Sequence, residues 1–504
     1  MSNKPTLSFW QIINMNVGFF GIQYSFGLQQ SAVNPIYDFL GASPDQIPML
    51  NLAGPATGLL IQPIIGALSD KTWSPTWGRR KPYFLVGALI CSVCLFLYPF
   101  SSSLWMAAGL LWILDVGNNT AMEPYRAFVA DRLDDKQQAT GFQAQSFFTG
   151  FGQTLSNLSL FIFPMIFVGV TGKLPNWVYA SFFLGAVLSI GSIWWSMKTT
   201  PELPPSDEEI AQIRAEPLNL TTPFTGIFDA IKDMPRVMWM LAFVYLFQWY
   251  ALFCYWQNAS KCVAQNTFDW KIQKLSTSDS LASNTYELFS KKLKSYIADN
   301  NLKESAIFSE TATPSSLYKQ WNEKLAFSTS FSESDLTSLD KKNSNDKKYE
   351  KAVSWTGLVN GWYNIVTFLC AFLLAFFAQK YRPKWVHFIC LILSGIGFIA
   401  FSYVANKYLF FVAITGFGIG WASMMGIPYL MIVKSIPKEK YGVYMGIINM
   451  MIVIPMLIQT TTFGFILKNY LGNNPTNAIT FAGVLLLIAA AATLLIKEEK
   501  EVKA

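Results

Sequence analysis

The sequence is poor in the side chains on which soluble chemistry runs. Its 504 residues include one histidine, and only 14% are Asp, Glu, Lys or Arg. The lone His387 makes a histidine relay a poor reading. No Gly-rich phosphate loop, metal-spaced His/Cys set or nucleophile–base constellation is present, so no enzyme and no cofactor are expected. Of the six cysteines, Cys91, Cys94, Cys370 and Cys390 fall in apolar runs, where thiols pack as small hydrophobes. Cys254 and Cys262 flank the outer end of the seventh run, and a disulfide between them is one option beside two packed thiols.

Apolar side chains are what the chain has in excess. Hydrophobic residues make up 52%, aromatics 16%, and the mean hydropathy is positive, a membrane composition. Runs of roughly 20 residues, enough for a hydrocarbon core of about 30 Å, recur near 9–37, 46–69, 83–100, 104–130, 139–169, 176–197, 236–257, 353–378, 385–405, 407–433, 441–468 and 477–496. An all-α membrane protein of about twelve spans is expected. The first run carries no small-residue cleavage site and reads as retained.

The formal charge of +7 is not a nucleic-acid signature, because of where the cations sit. Lys71, Arg79, Arg80 and Lys81 follow span two, Lys380, Arg382 and Lys384 follow span eight, and Lys434, Lys438 and Lys440 follow span ten. The opposite short loops hold only Lys173, Lys407 and Lys468. That asymmetry places both termini in the cytoplasm.

Residues 1–197 form a first six-span half, 198–235 a Pro-rich, acidic linker, 236–258 span seven, and 351–504 the rest of a second half. The halves are weakly alike: "MEPYRAFVADRL" from Met122 matches "GIPYLMIVKSIP" from Gly426. Halves repeated about the membrane normal suit a transporter with a central cavity. Residues 259–350 break the pattern, being rich in Lys, Ser, Asn and Asp, and lie on the outer side. Leu288, Leu293, Tyr296 and Ile297 fall at helical spacing there. A solvated insertion, a docking site for a protein partner and a guard over the outer mouth are the readings this segment leaves open.

Span four carries the chemistry. "WILDVGNNTAMEPYRAFVADRL" puts Asp115 near the bilayer midplane, Asn119 one turn on, and Glu123 and Arg126 at pairing distance in the inner half. A central ionisable group costs roughly 2.5–3.5 kcal/mol, so the stripe should face the bundle interior or water. The matching positions of the second half are Ile419, Ile427 and Leu430, which points to function rather than scaffolding. A poorly hydrated Asp115 is suited to hold and release a proton. Glu123 and Arg126 form either a static pair or one that rearranges with it. One charge crossing 100 mV is worth about 2.3 kcal/mol, roughly a fiftyfold concentration ratio.

These residues, with "GPATGLLIQPIIGALSD", "GRRKP" and "GVYMGIINMMIVIPMLIQ", resemble the sucrose–proton symporters and their maltose-transporting relatives, the glycoside–pentoside–hexuronide branch of the major facilitator superfamily. The resemblance implies a major facilitator fold of two six-helix pseudo-repeats, here with a long external insertion between helices 7 and 8. It implies Asp115 as proton carrier, Asn119 as coupling residue and Arg126 as a requirement for sugar transport. It makes Asp70, Gly78, Arg79 and Arg80 a cytoplasmic gate, although those cations also read as topology determinants. Glu123 and the insertion depart from the plant pattern.

A sugar site needs amides, hydroxyls and aromatic faces. Candidates are Gln29, Gln30 and Asn34; Gln153 and Asn157; Gln248, Trp249 and Tyr250; Trp362, Tyr363 and Asn364; and Asn449 and Gln459. The expected function is proton-coupled import of a maltose- or sucrose-like disaccharide through a bacterial inner membrane. Sodium coupling, with Asp115 and Glu123 as oxygen ligands, is one alternative, and a sugar receptor or assembly anchor working through the insertion is another.

Overall fold

The computed structural model describes residues 4–204, 210–211, 231–272, 277–300, 302, 307–308, 312–432 and 441–496. The cations Lys434, Lys438 and Lys440 and most of the linker lie outside them. Helix α1 (Phe9–Ser31) starts at a Ser8–Gln11 capping box and continues as α2 (Val33–Phe39). Then come α3 (Ile47–Leu50), α4 (Ala53–Asp70), α5 (Lys81–Leu97), α6 (Leu104–Arg132), α7 (Asp135–Ile166) and α8 (Asn176–Thr199). Ser103 and Asp134 cap α6 and α7 by accepting from the first-turn amides. A small hairpin, β1 (Val170–Thr171) with β2 (Leu174–Pro175), joins α7 to α8.

The second half holds α9 (Arg236–Thr267), α10 (Thr277–Asp299), α11 (Pro314–Leu325), α12 (Glu333–Lys380), α13 (Pro383–Tyr403), α14 (Leu409–Ile432), α15 (Tyr441–Asn469) and α16 (Pro475–Thr493). The fold is all-α, two six-helix halves, with α10, α11 and the start of α12 as an outer cap. The halves meet where α7 packs on α12 and α15 on α3 and α4.

Among the described residues, eight helices are long and apolar enough to cross a membrane on hydropathy alone. Helices α1, α6, α7 and α12 fall short of that measure, and the reason is physical: their polar side chains are turned inward. Asn16, Gln23, Asp115, Asn118, Gln153, Asn157, Asn360 and Asn364 are all buried. Close backbone approach supports the bundle: a Cβ at Gly87 of α5 would lie 2.6 Å from the Gly117 carbonyl oxygen of α6.

Two boundaries differ from the sequence reading. Helix α9 runs nine residues past 258, to Thr267, because Asn258, Ala259, Lys261 and Cys262 are buried in the bundle instead of solvated. Cys254 and Cys262 are therefore free thiols on one helix. Eight residues of rise separate them by about 12 Å, beyond disulfide reach. Helix α12 begins at Glu333, so cap and span eight share one rod of 48 residues, about 72 Å long.

The cap has its own core. Phe289, Leu293 and Ile297 of α10 meet Leu317, Tyr318, Trp321 and Leu325 of α11 and Leu336 and Leu339 of α12. Each such side chain contributes ~1.5–3 kcal/mol by leaving water. Leu293 and Ile297 pack as their spacing suggests and Tyr296 partly so, but Leu288 is exposed and Phe289 takes the inward position.

Candidate functional site

Helix α6 presents its stripe in two parts. In the middle of the bundle Asp115 is 2% exposed, and no ion pair reaches it among the described residues. Its carboxyl lies beside the Gln29 side chain, and a Cβ at Gly54 of α4 would stand 3.7 Å from its Oδ2. One turn on, Asn119 donates to the Asp115 carbonyl oxygen (2.9 Å) and to Thr57 Oγ1 (3.1 Å). Asn119 Oδ1 accepts from Gln62 Nε2 at 2.7 Å. Asn118 turns the other way, donating to Ser25 Oγ at 3.0 Å and accepting from the Cys91 thiol.

The second part lies about 12 Å further along the helix. Arg126 Nη1 meets Glu123 Oε1 at 3.0 Å, with side-chain exposures of 45% and 23%. These are the most open charges of the stripe. Asp115 and the Glu123–Arg126 pair share a face but not a contact. Pro124 sits inside α6 without ending it.

Polar contacts between the halves, among the described residues, gather on the side of the cap, here called outer. Asp38 meets Lys261 at 2.8 Å and Asp45 meets Lys468 at 3.9 Å. Asn34 Nδ2 donates to the Trp256 carbonyl oxygen at 3.3 Å, and Asn360 Nδ2 donates to Ser31 Oγ at 3.2 Å. The two halves are therefore joined on the side of the cap.

On the inner side the Gly78–Arg79–Arg80 loop clamps one half internally. Arg80 is buried and pairs with Asp70 (2.6 Å) and Asp131 (2.8 Å), while Arg79 reaches Asp70 at 3.5 Å. Glu202 accepts from the backbone N–H groups of Arg79, Arg80 and Lys81, a carboxylate on the N-terminus of α5. Gly78 has φ +79°, and a Cβ there would sit 2.6 Å from the Glu202 carboxyl carbon. Both facts demand glycine.

The sugar candidates divide. Gln248 is fully buried in α9 with neither amide atom hydrogen-bonded, and the Trp249 indole N–H also lacks a hydrogen-bond partner. The Trp249 ring meets Trp421, which also meets Trp256. Tyr363 is buried against Phe417. Gln30 is half-buried.

Other candidates are engaged in packing. Gln153 donates to Gln23, Asn157 accepts from Ser31, and Asn34 accepts from Asn51. The Tyr250 hydroxyl meets Thr462, and Gln459 is paired with Gln257. Asn364 donates to the Asn360 carbonyl oxygen, and Trp362, 39% exposed, donates to Thr415. The side chain of Asn449 lies outside the described residues. His387 is buried at Ser423 (2.8 Å), away from the stripe.

Sequence reasoning passed over Gln62, Thr57 and Asn118, and also Asp38, Lys261, Glu202 and Asp131. Gln62 had a visible signal, a lone amide inside "GLLIQPII".

A twelve-helix bundle of paired halves, joined on the side of the cap and holding a buried carboxylate, defines a membrane transporter fold. The family model described as Major Facilitator Superfamily matches residues 15–278 and 346–504, and the chain belongs to that superfamily. The unmatched stretch between them is most of the cap.

Among curated relatives, the chain is 26% identical over 271 residues to the sucrose transport protein SUT5 of Oryza sativa subsp. indica, covering 46% of this chain and 48% of that one. It is 29% identical over 179 residues to the sucrose transport protein SUC3 of Arabidopsis thaliana, covering 31% and 28%. The match thus spans about half or less of these plant relatives. The nucleoside transporter NupG superposes with a TM-score of 0.59 at 13% identity, covering 97% of this chain and 96% of that one. A D-xylose–proton symporter gives 0.54 at 13%, covering 97% of this chain and 99% of that one.

Proposed function

We propose that this protein is a secondary active sugar transporter that couples import of an α-glucosidic disaccharide, maltose- or sucrose-like, to entry of a proton by alternating access. The observation that carries the reading is Asp115: a midplane carboxyl without a counter-cation among the described residues, joined through its own backbone to the Asn119–Gln62–Thr57 network. A carboxyl so placed, without a counter-cation, can exchange its proton with whichever side the surrounding cavity opens to. Its proton therefore moves as the cavity changes sides.

Unpartnered Gln248 and Trp249 supply donors and an apolar wall for a polyol. A neutral solute fits, since the cations nearest the stripe are already held, Arg126 by Glu123 and Arg80 by Asp70 and Asp131. The names of the plant relatives favour sucrose or a like glucoside. We place the loop between α4 and α5 and both chain ends in the cytoplasm, and the cap in the periplasm of a bacterial inner membrane.

The test is uptake by proteoliposomes under an imposed pH step, without sodium, over a panel of disaccharides. The parent should concentrate one α-glucoside. Asp115→Asn should lose accumulation while keeping sugar exchange. Accumulation by that variant, or a strict need for sodium, would overturn proton coupling through Asp115.

A further inference from the structure

The junction on the cap side contains a cluster that the transport reading does not use. Asp38, at the end of α2 in the first half, has one carboxylate oxygen 2.8 Å from Lys261 Nζ in the second half. The side chains are 9% and 3% exposed. The other oxygen accepts from the Tyr349 hydroxyl on α12. Phe39 meets the edge of Tyr349, and Trp270 stacks on it at 5.1 Å.

Tyr349 stands at the foot of the cap and is fixed to its own half. Asn345 exchanges two hydrogen bonds with the Lys271 backbone, and Lys348 pairs with Asp269 at 3.1 Å. Higher up, the cap crosses to the first half once more: Lys294 Nζ donates to the Val170 carbonyl oxygen of the β1–β2 hairpin at 2.6 Å.

We propose that Asp38, Lys261 and Tyr349 are the outer latch of the transport cycle, and that the cap, through Tyr349 and Lys294, holds the latch shut. Opening outward must part α2 from α9 and α12, and so break the Asp38–Lys261, Asp38–Tyr349 and Lys294–Val170 contacts together. In the open state both charges hydrate, which offsets the lost attraction. In the closed state the loss of one partner leaves the other charge buried and unpaired, the costlier condition. Neutralising either residue alone therefore penalises the closed form only. Neutralising both removes the penalty.

Spin labels read this without any sugar, so the result is independent of which solute is carried. Lys173→Cys and Tyr470→Cys place labels on the outer ends of the two halves, in a Cys370→Ser background in lipid nanodiscs. The parent should give a short distance. Asp38→Asn or Lys261→Met should raise the open-to-closed ratio at least about tenfold. The double variant Asp38→Asn/Lys261→Met should return most of the way to the parent. Tyr349→Phe, which keeps the ring and packing, and Lys294→Ala should each raise the ratio by roughly three- to tenfold. Unchanged distances in both charge variants overturn the latch. A shift in those two with none in Tyr349→Phe and Lys294→Ala overturns the part assigned to the cap.

Discussion

Gln62 Nε2 donates to Asn119 Oδ1 across 2.7 Å, and this bond ties α4 to α6 one turn from Asp115. Asn119 is fully committed by it, because its amide nitrogen is shared between Thr57 and the Asp115 carbonyl oxygen. Removing the Gln62 amide therefore strands an acceptor in a buried site.

Gln62→Leu should cost about 1–3 kcal/mol for the unpaired Asn119 oxygen. A lower thermal midpoint in detergent and roughly tenfold slower concentrative uptake are expected. Wild-type uptake in this variant would show that the bond is dispensable for coupling.

Arg126→Leu separates stability from transport. The Glu123–Arg126 pair is partly solvated at 45% and 23% exposure, so its loss should change stability by no more than about 1 kcal/mol. Sugar uptake should nonetheless fall to background. Thermal unfolding and uptake on the same preparation measure both, and retained transport would remove Arg126 from the mechanism.

Gly78→Ala meets two penalties, a positive φ worth roughly 1–2 kcal/mol and a clash with Glu202. The inner loop should loosen and the first half lose stability. Gly78→Ala/Glu202→Ala should be less damaging than the sum of its parts, since the clash is gone. Strict additivity in denaturation would mean that the two residues do not touch.

The cap should be more stable in acid. Burial, with Asp346 one turn away, pushes the Glu350 carboxyl up to about 8, and burial raises Asp346 to about 6. Both folded values lie above the ordinary carboxylate range. The stabilising effect is thus complete below about pH 4 and is lost as pH rises through 6 and then 8. Hydrogen exchange in α10 and α11 should accelerate between pH 5 and about 8.5 beyond its intrinsic rise, and Glu350→Gln should flatten most of that change. A flat parent profile would count against the carboxyls.

How much of this was legible in the sequence depended on contrast. Asp115, Glu123 and Arg126 stand out because charge is scarce in an apolar run, and the three-residue spacing alone pairs the last two. Lys261 had no such contrast. It follows Asn258 and Ser260, so it reads as the start of a solvated loop, and the residues that bury it are remote: Asp38 and Tyr349 lie 311 positions apart. The sugar candidates show a similar limit. Gln248 and Gln459 look alike as amides in spans, yet one is unpartnered and the other is matched to Gln257. Periodicity cannot tell an amide that awaits a ligand from one that already has a neighbour.

The unbroken course of α12 sets a phase relation along its length. From Ser332 to Lys380 no turn intervenes, so Tyr349 and Asn360 point where they do by helical rotation alone. Deleting one residue between 350 and 359 would swing the Tyr349 hydroxyl about 100° away from Asp38. Changes in chain length are therefore ruled out along this rod, and are confined to the joints between α10, α11 and α12.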